Sequence, residues 1–218
     1  MYIPAKYVSK DVDELVRCVR EYPFALIITG QEHLTWAPIQ LVQNGPDYFF
    51  EFHLARQNPH AVYLSKTSSQ QQAETVIAFL GPHGYISPRW FADRAQNVPT
   101  WNFTAFHVKG RPVEVSENKP LFDLLDRLVT ANEDTMKHAK GTTWTMRETK
   151  PPYVELLSNG IIGFRMKMES FEGKTKLSQD FSVEDRKTMI AGLRDVGNGA
   201  LADSMQRALA KEKPVSKL

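Results

Sequence analysis

The sequence predicts a mainly β (α+β) fold, an antiparallel barrel of strands with helices at its periphery. Short runs of apolar residues, or of alternating apolar and polar residues, recur along the chain and are typical of strands. Turn-forming residues separate several of these runs, and helical spacing of apolar residues is confined to a few segments. Together these observations predict about six or seven strands, most of them joined by tight turns.

The first part of the chain predicts one helix and then three strands. A capping pattern at residues 11–14 begins a helix that should end before Pro23. The dipeptide at residues 44–45, Asn-Gly, is a strong hairpin signal. Strands are predicted on both sides of that turn and ahead of it, at residues 24–29, 36–42 and 48–54. This meander is the expected start of an antiparallel barrel.

The rest of the chain predicts further strands and four more helices before a short helical tail. Helices are expected from Pro59, from Pro120, where a leucine stripe indicates a core-facing surface, at residues 153–157 and from Ser182. Residues 81–99 are expected to form a long loop whose aromatic content favours a functional role. The remaining strands are predicted at residues 76–80, 101–109 and 162–168. We expect residues 1–180 to form the cofactor-binding domain, and residues 181–218 a helical extension and tail.

Composition limits the classes of function. The 218 residues carry a net charge of only +2, which argues against broad nucleic-acid binding. The single cysteine, Cys18, cannot form an internal disulfide and indicates a reducing, intracellular compartment. No apolar run is long enough for a membrane span. The last three residues, Ser216-Lys217-Leu218, match a peroxisomal address, so the location is predicted to be peroxisomal in a eukaryotic host and otherwise cytoplasmic.

Four segments combine aromatic, proline and hydrogen-bonding residues in a way that a plain core does not need. Each borders a predicted strand, and together they suit a flat anionic cofactor held by stacking and by basic side chains. The segments are HLARQNP at residues 53–59, GPHGYISPRW at 81–90, VPTWN at 98–102 and GKTKLSQ at 173–179.

Each segment also has a simpler interpretation. Arg56 can grip a phosphate near a helix start, or it can be a surface ion-pair residue beside the turn former Asn58. His53 lies on an apolar strand and can be an ordinary core histidine. Trp101 and Phe103 share one strand face with Ala105 and His107, which can stack on a ring. The lysines at 174 and 176 can reach an anion or simply end a solvated hairpin.

The same four segments, in the same order, make the chain resemble the PaiB family of FMN-binding negative transcriptional regulators. The resemblance runs from Tyr2 to the helix after Gln179 and so covers nearly the whole chain. It implies an FMN-binding split β-barrel, usually a homodimer, with FMN bound at the interface between subunits.

The resemblance also implies roles for individual residues. Arg56 and Asn58 would hold the phosphate, while the remaining residues would line the ring or close the site, with the second subunit as one source. These remaining residues are Tyr85, Ser87, Trp90, Thr100, Trp101, Asn102, Lys174, Lys176, Ser178 and Gln179. The chain departs from the family pattern at Gly84, Phe91, Phe103 and Asp180. Phenylalanine in place of tyrosine at residues 91 and 103 puts proton transfer by those two residues in doubt.

A more distant resemblance leaves a second cofactor open. Piperazate synthases share the fold, bind haem b through a histidine and form an N–N bond. By its motif, His53 is the candidate iron ligand here. The functional hypotheses are therefore a flavin-dependent redox protein, a haem enzyme, and a transcriptional repressor. For the repressor, the helix with Arg186, Lys187 and Arg194 is the candidate DNA contact. The resemblance implies a homodimer. The small-molecule substrate stays unidentified, and no membrane partner is expected.

Overall fold

The computed structural model describes residues 1–68, 73–115, 118–136 and 143–211. Ser216, Lys217 and Leu218, which carry the predicted peroxisomal address, lie outside the described residues. The strands are β1 Val8–Ser9, β2 Phe24–Thr29, β3 His33–Pro38, β4 Gln40–Asn44, β5 Asp47–Ala55, β6 Thr75–Ile86, β7 Thr100–Gly110, β8 Pro112–Val115, β9 Ile161–Lys167 and β10 Ser170–Lys176. The helices are α1 Val12–Glu21, α2 Pro59–Ser68, α3 Asn118–Glu133, α4 Pro151–Ser158, α5 Val183–Asp195 and α6 Gly199–Lys211.

The chain divides into two compact units. Unit 1 comprises Met1–Leu15, Leu80–Phe106 and the chain from Glu172 onward. Unit 2 comprises Val16–Phe79 and His107–Phe171. Helices α5 and α6 group with unit 1, and the predicted division after residue 180 stays a prediction.

Unit 2 contains a four-stranded antiparallel sheet in the order β4-β5-β9-β8. Strand β2 pairs antiparallel with β3 on one side and with the start of β6 on the other. Phe52 and Phe164 stack across β5 and β9 with ring centroids 5.4 Å apart. Helix α3 packs closely on β9 because Gly163 has no side chain, and a Cβ there would lie 2.7 Å from Leu121.

Unit 1 contains β1, β10, β7 and β6 as neighbours in that order, with β1 and β10 antiparallel. Helices α5 and α6 share an apolar core with the end of β6, which includes Ile86, Met189 and Met205. The side chain of Ser182 caps α5 by accepting a hydrogen bond from the backbone of Asp185.

The predicted mainly β fold of antiparallel strands with peripheral helices is confirmed. The described residues form ten strands rather than the predicted six or seven, and two predicted boundaries were wrong. The predicted loop at residues 81–99 begins as strand, because β6 continues to Ile86. The strand predicted at residues 36–42 is two strands interrupted at Ile39, whose backbone N–H donates to the carbonyl of Pro23. Cys18 is buried, and no described helix is long and apolar enough to cross a membrane.

Candidate functional site

The outward side of β7 in unit 1 carries the predicted aromatic face. Side chains alternate along the strand: Trp101 is 55% exposed and Phe103 is half-buried, whereas Asn102 between them is fully buried. The prediction that Trp101 and Phe103 share a face is therefore confirmed. Trp101 also stacks on a residue of β6: the centroids of the Trp101 and His83 rings lie 6.3 Å apart, at an interplanar angle of 24°.

Two lysines of β10 extend this surface. The ammonium of Lys174 lies 5.2 Å from the centroid of the Phe103 ring, and it also donates to the backbone carbonyl of Tyr2 at 3.2 Å. Lys176 donates to the hydroxyl of Thr100 at the start of β7. We call the surface formed by His83, Tyr85, Trp101, Phe103, Lys174 and Lys176 the aromatic–lysine face.

The charge next to this face is positive. Lys6 forms an ion pair with Asp180 at 2.6 Å. Burial lowers the pKa of Lys176, and its neighbours Lys174 and Lys6 lower it further, while Asp180 acts in the opposite direction. The ammonium of Lys176 is therefore within electrostatic range of two other ammonium groups and of the Asp180 carboxylate, which is already paired with Lys6. An anionic group that approaches Lys176 would offset the mutual repulsion of the lysines.

Three other residues that were predicted to bind the cofactor form hydrogen bonds within the protein, at the turn after β10. Asn102 and Ser178 are both buried and exchange hydrogen bonds at 2.9 Å and 3.2 Å. Gln179 accepts from the backbone of Leu177 at 2.7 Å and donates to the carbonyl of Thr175 at 2.5 Å. These side chains fix the end of the strand that carries Lys176.

The predicted residues of the 81–90 segment differ in exposure. Tyr85 is 48% exposed. Ser87 instead caps the single-turn helix Pro88–Trp90 by accepting from the backbone of Arg89. Trp90 packs on Gly192 of α5 so closely that a Cβ at residue 192 would lie 2.3 Å from the indole. Ser87 and Trp90 thus shape the loop, and Tyr85 remains available to a ligand.

Arg56 and Asn58 lie in unit 2, where both are bonded to the protein itself. Arg56 donates from Nε to the carbonyl of Asn159 at 2.8 Å and from Nη2 to that of Ile161 at 2.9 Å. Asn58 caps α2 by accepting from the backbone of His60 at 2.9 Å.

His53 lies on β5, directly opposite Gly163 of β9. Its Nδ1 is buried and has no hydrogen-bond partner among the described residues. Burial also lowers the pKa of His53, which favours the neutral imidazole. A neutral ring with one unpaired nitrogen is chemically able to ligate a metal ion. Among the described residues, no group of three or more His, Cys, Asp or Glu side chains is arranged to hold a metal ion.

Sequence reasoning missed a buried polar network around His60. Its Nε2 lies 2.9 Å from the hydroxyl of Thr29, and its Nδ1 lies 3.1 Å from that of Thr35. The Thr29 hydroxyl also bonds to that of Thr75 at 2.8 Å. Burial, with a contribution from His33, lowers the pKa of His60 to about 4. The partners are far apart in the sequence, and the pairing of β2 with β3 and β6 brings them together.

A second missed group is the buried carboxylate Glu51 on β5. Arg127 of α3 donates to its two oxygens at 2.9 Å and 3.0 Å, and Arg165 of β9 lies at 3.6 Å. Glu51 lies on β5, and its arginine partners come from α3 and β9, which are distant in the sequence, so local patterns did not indicate the pairing. This cluster stabilises the packing of α3 on the sheet of unit 2.

Comparisons with known proteins show similarity in sequence and in fold. A family model described as “Putative FMN-binding domain” matches residues 1–170. The chain is 27% identical to a protein of Bacillus subtilis named “Protease synthase and sporulation protein PAI 2”, over 97% of this chain and 100% of the relative.

Two solved structures support the fold. A conserved hypothetical protein from Mycobacterium tuberculosis superposes with a TM-score of 0.54 at 13% identity, covering 84% of this chain and 94% of that one. The FAD and heme binding protein from Mycobacterium smegmatis gives a TM-score of 0.51 at 14% identity, covering 82% and 78%. These two superpositions confirm the predicted fold of the chain, the split barrel of flavin-binding proteins.

Proposed function

The chain belongs to the FMN-binding domain family that its residues 1–170 match, and from this premise we propose that it is a flavoprotein with FMN on the aromatic–lysine face. The family match confirms the predicted family and FMN, the cofactor that the family description names. One observation carries the proposed location: exposed Trp101 lies on the strand whose Thr100 accepts a hydrogen bond from Lys176. A stacking surface and a cationic group thus occur together.

The residues of this face fit the two chemical parts of FMN. The exposed rings of Trp101 and Tyr85 offer stacking area for a planar system. Lys174 and Lys176 offer ammonium donors for a phosphate. We assign the anionic end to these lysines rather than to Arg56, because Lys174 and Lys176 lie beside Phe103 and Thr100 on the same face as the stacking rings, whereas Arg56 belongs to unit 2. Bound FMN would supply electron-transfer or hydride chemistry, and the protein would orient the ring and limit its access to water.

We also propose that the chain forms a homodimer, because β2 and β3 of unit 2 present an apolar surface. Phe24 and Trp36 are 62% and 57% exposed and stack at 5.9 Å. The strand register places Trp36 opposite Leu26, and Leu34 opposite Ile28, on the same face. A second copy of the chain would bury this surface.

Sedimentation measurements test the dimer. We expect the wild-type chain to sediment as a dimer and Trp36→Glu as a monomer, with Gln31→Glu as a control that adds the same charge outside β3. A wild-type monomer, or a dimer that survives Trp36→Glu, would contradict the proposal.

Haem is the second candidate cofactor, and the unpaired Nδ1 of His53 favours it. The neutral imidazole of His53 would be the axial ligand. We expect any haem complex to lose its Soret band in the His53→Ala variant. Unchanged haem binding in that variant would exclude His53 as the ligand.

A role as a transcriptional regulator has less physical support. The name of the Bacillus subtilis relative links that protein to protease synthesis and sporulation. In the present chain, the candidate DNA-contact helix is α5, where Arg186 is buried and Arg194 pairs with Asp203 at 3.0 Å. Only weak DNA binding is expected from α5. A gel-shift assay with a steep salt dependence would support the regulator role instead.

An absorbance spectrum of the purified protein distinguishes the two cofactors. The cells that express it should be supplied with both riboflavin and a haem precursor. We expect flavin bands, and their loss in a Trp101→Ala, Lys176→Gln double variant that remains folded. A Soret band without flavin bands would favour the haem enzyme.

A further inference from the structure

Unit 2 contains a cavity that shares no lining residue with the aromatic–lysine face. Its volume is approximately 760 Å³, and it is framed by α3, α4, the edge strand β8 and its neighbour β9. A cavity of this size suits a small organic ligand. Of the thirteen residues that the sequence predicts to bind the cofactor, only Arg56 lines it among the described residues.

The inner wall of the cavity is apolar. Leu121 comes from α3, Ile162 from β9 and Val154 from α4. Helix α4 has no buried residue, so its Val154 side lines the cavity instead of packing tightly on the sheet. The wall therefore offers contact area to the hydrocarbon part of a ligand.

The charged side chains that line the cavity determine which polar group the ligand can carry. Arg56 is held by its bonds to the carbonyls of Asn159 and Ile161, which use two of the five N–H groups of a guanidinium. A guanidinium fixed in this way is preorganised for a carboxylate. Arg147 adds a second guanidinium to the lining.

The remaining charges limit how much negative charge the ligand can carry. Lys119 is already paired with Asp123 at 2.6 Å. The carboxylates of Glu114 and Glu155 also line the cavity, and that of Glu114 accepts a hydrogen bond from Ser65. These carboxylates would repel a doubly charged phosphate more strongly than a singly charged carboxylate.

We propose that this cavity is a second ligand site, distinct from the flavin site, for a small amphipathic monocarboxylate. The carboxylate binds at Arg56 and Arg147, and an aromatic or branched aliphatic body contacts Leu121, Val154 and Ile162. Such a ligand is a candidate substrate or effector of the protein.

Isothermal titration of the full chain with 4-phenylbutyrate tests the proposal, with and without saturating FMN. We expect about one equivalent to bind in both conditions, and the neutral amide, 4-phenylbutyramide, to bind at least about tenfold more weakly. Arg147→Gln should weaken phenylbutyrate binding by about tenfold or more. Val154→Trp should abolish it by filling the cavity.

Matched controls separate this site from other effects. Arg20→Gln removes an exposed arginine elsewhere in unit 2, and Leu156→Trp adds an indole to the exposed side of α4. Both should bind phenylbutyrate like the wild type, and all four variants should retain FMN affinity. Failure of the wild type to bind, equal affinity for the amide, unchanged binding by folded Val154→Trp, or displacement of FMN by phenylbutyrate would each overturn the proposal. If Val154→Trp does not fold, phenylbutyrate binding that is unchanged in Arg147→Gln would overturn the proposal instead.

Discussion

Asn102 and Ser178 form a reciprocal pair: the amide Nδ2 of Asn102 donates to the Ser178 hydroxyl at 2.9 Å, and that hydroxyl donates back to Oδ1 at 3.2 Å. Both residues are buried, and Ser178 has a backbone φ of 61°. Among the described residues, it is the only non-glycine residue with positive φ. The pair joins β7, which carries Trp101, to the turn that follows Lys176. The pair therefore fixes the position of Trp101, the stacking residue of the proposed flavin site, relative to Lys176, its cationic residue.

Removing this pair should destabilise the protein. We expect Asn102→Ala to lower the free energy of unfolding by about 1–3 kcal/mol, because a buried hydroxyl loses its partner. Combining Asn102→Ala with Ser178→Ala should cost less than the sum of the two single changes. Urea unfolding of the four proteins measures this coupling. Asn97→Ala serves as the control, because the amide of this partly exposed residue donates to the carbonyl of Asp93 at the surface. Strictly additive effects would show that the pair does not act as a unit.

A single methyl group at residue 192 should disturb the packing of α5. We expect Gly192→Ala to destabilise the protein by about 1–3 kcal/mol, because the added Cβ would lie 2.3 Å from the Trp90 indole. Gly199→Ala is the matched control, since it adds the same group to α6 with nothing within 4 Å. Thermal unfolding compares the two variants. Equal midpoints would mean that Trp90 does not pack on Gly192 as described.

The lysines of β10 should distinguish FMN from riboflavin, which lacks the phosphate. We expect the wild type to bind FMN more tightly than riboflavin, and Lys176→Gln to reduce that difference by about tenfold or more, because a charge-assisted bond is lost. Fluorescence titration with both flavins measures the ratio. Lys10→Gln, an exposed lysine outside the face, should leave the ratio unchanged. A ratio that is the same in Lys176→Gln as in the wild type would remove this residue from the phosphate site.

His60 should make the stability of the fold depend on pH. Its pKa is lowered to about 4, so the folded protein holds it neutral while the unfolded chain protonates it below about 6.5. The unfolded state then binds more protons between these values, and stability falls as the pH drops from about 6.5 to about 4. The full contribution of His60 is about 3 kcal/mol, present above pH 6.5 and lost near pH 4.

Unfolding free energies across this pH range test the role of His60. The unfolding free energy should depend less steeply on pH in His60→Gln, because glutamine does not titrate. His33→Gln, which changes the neighbouring ring, serves as the comparison. If wild type and His60→Gln show the same slope, another group carries the pH dependence.

Local patterns predicted the regular elements well. The run at residues 24–29 lies between Pro23 and Gly30 and forms β2 as expected. The leucine spacing after Pro120 correctly predicted a core-facing α3, in which Leu121, Leu124 and Leu128 are buried. Each of these signals depends on neighbours within a few residues. They were sufficient for the fold class.

The signals that failed depend on distant residues. Gly84 looked like part of a loop, yet it lies in β6, where a Cβ would meet Asn198 at 2.4 Å. The sequence also could not show which polar residues have internal partners. Asn102 and Arg56 bond within the protein, whereas Trp101 and Tyr85 are exposed. The alternation along β7 was the part of the site that periodicity alone could predict.

FMN binding against Trp101 is the central claim, and flavin fluorescence measures this binding directly. The purified chain, stripped of any cofactor, should be titrated into FMN, with the Trp101→Leu variant in parallel. We predict that the wild type quenches the flavin with an end point of about one FMN per chain, because a stacked indole quenches the ring, and that Trp101→Leu quenches it much less. Flavin fluorescence that stays unchanged at every ratio of wild-type protein to FMN would contradict the account.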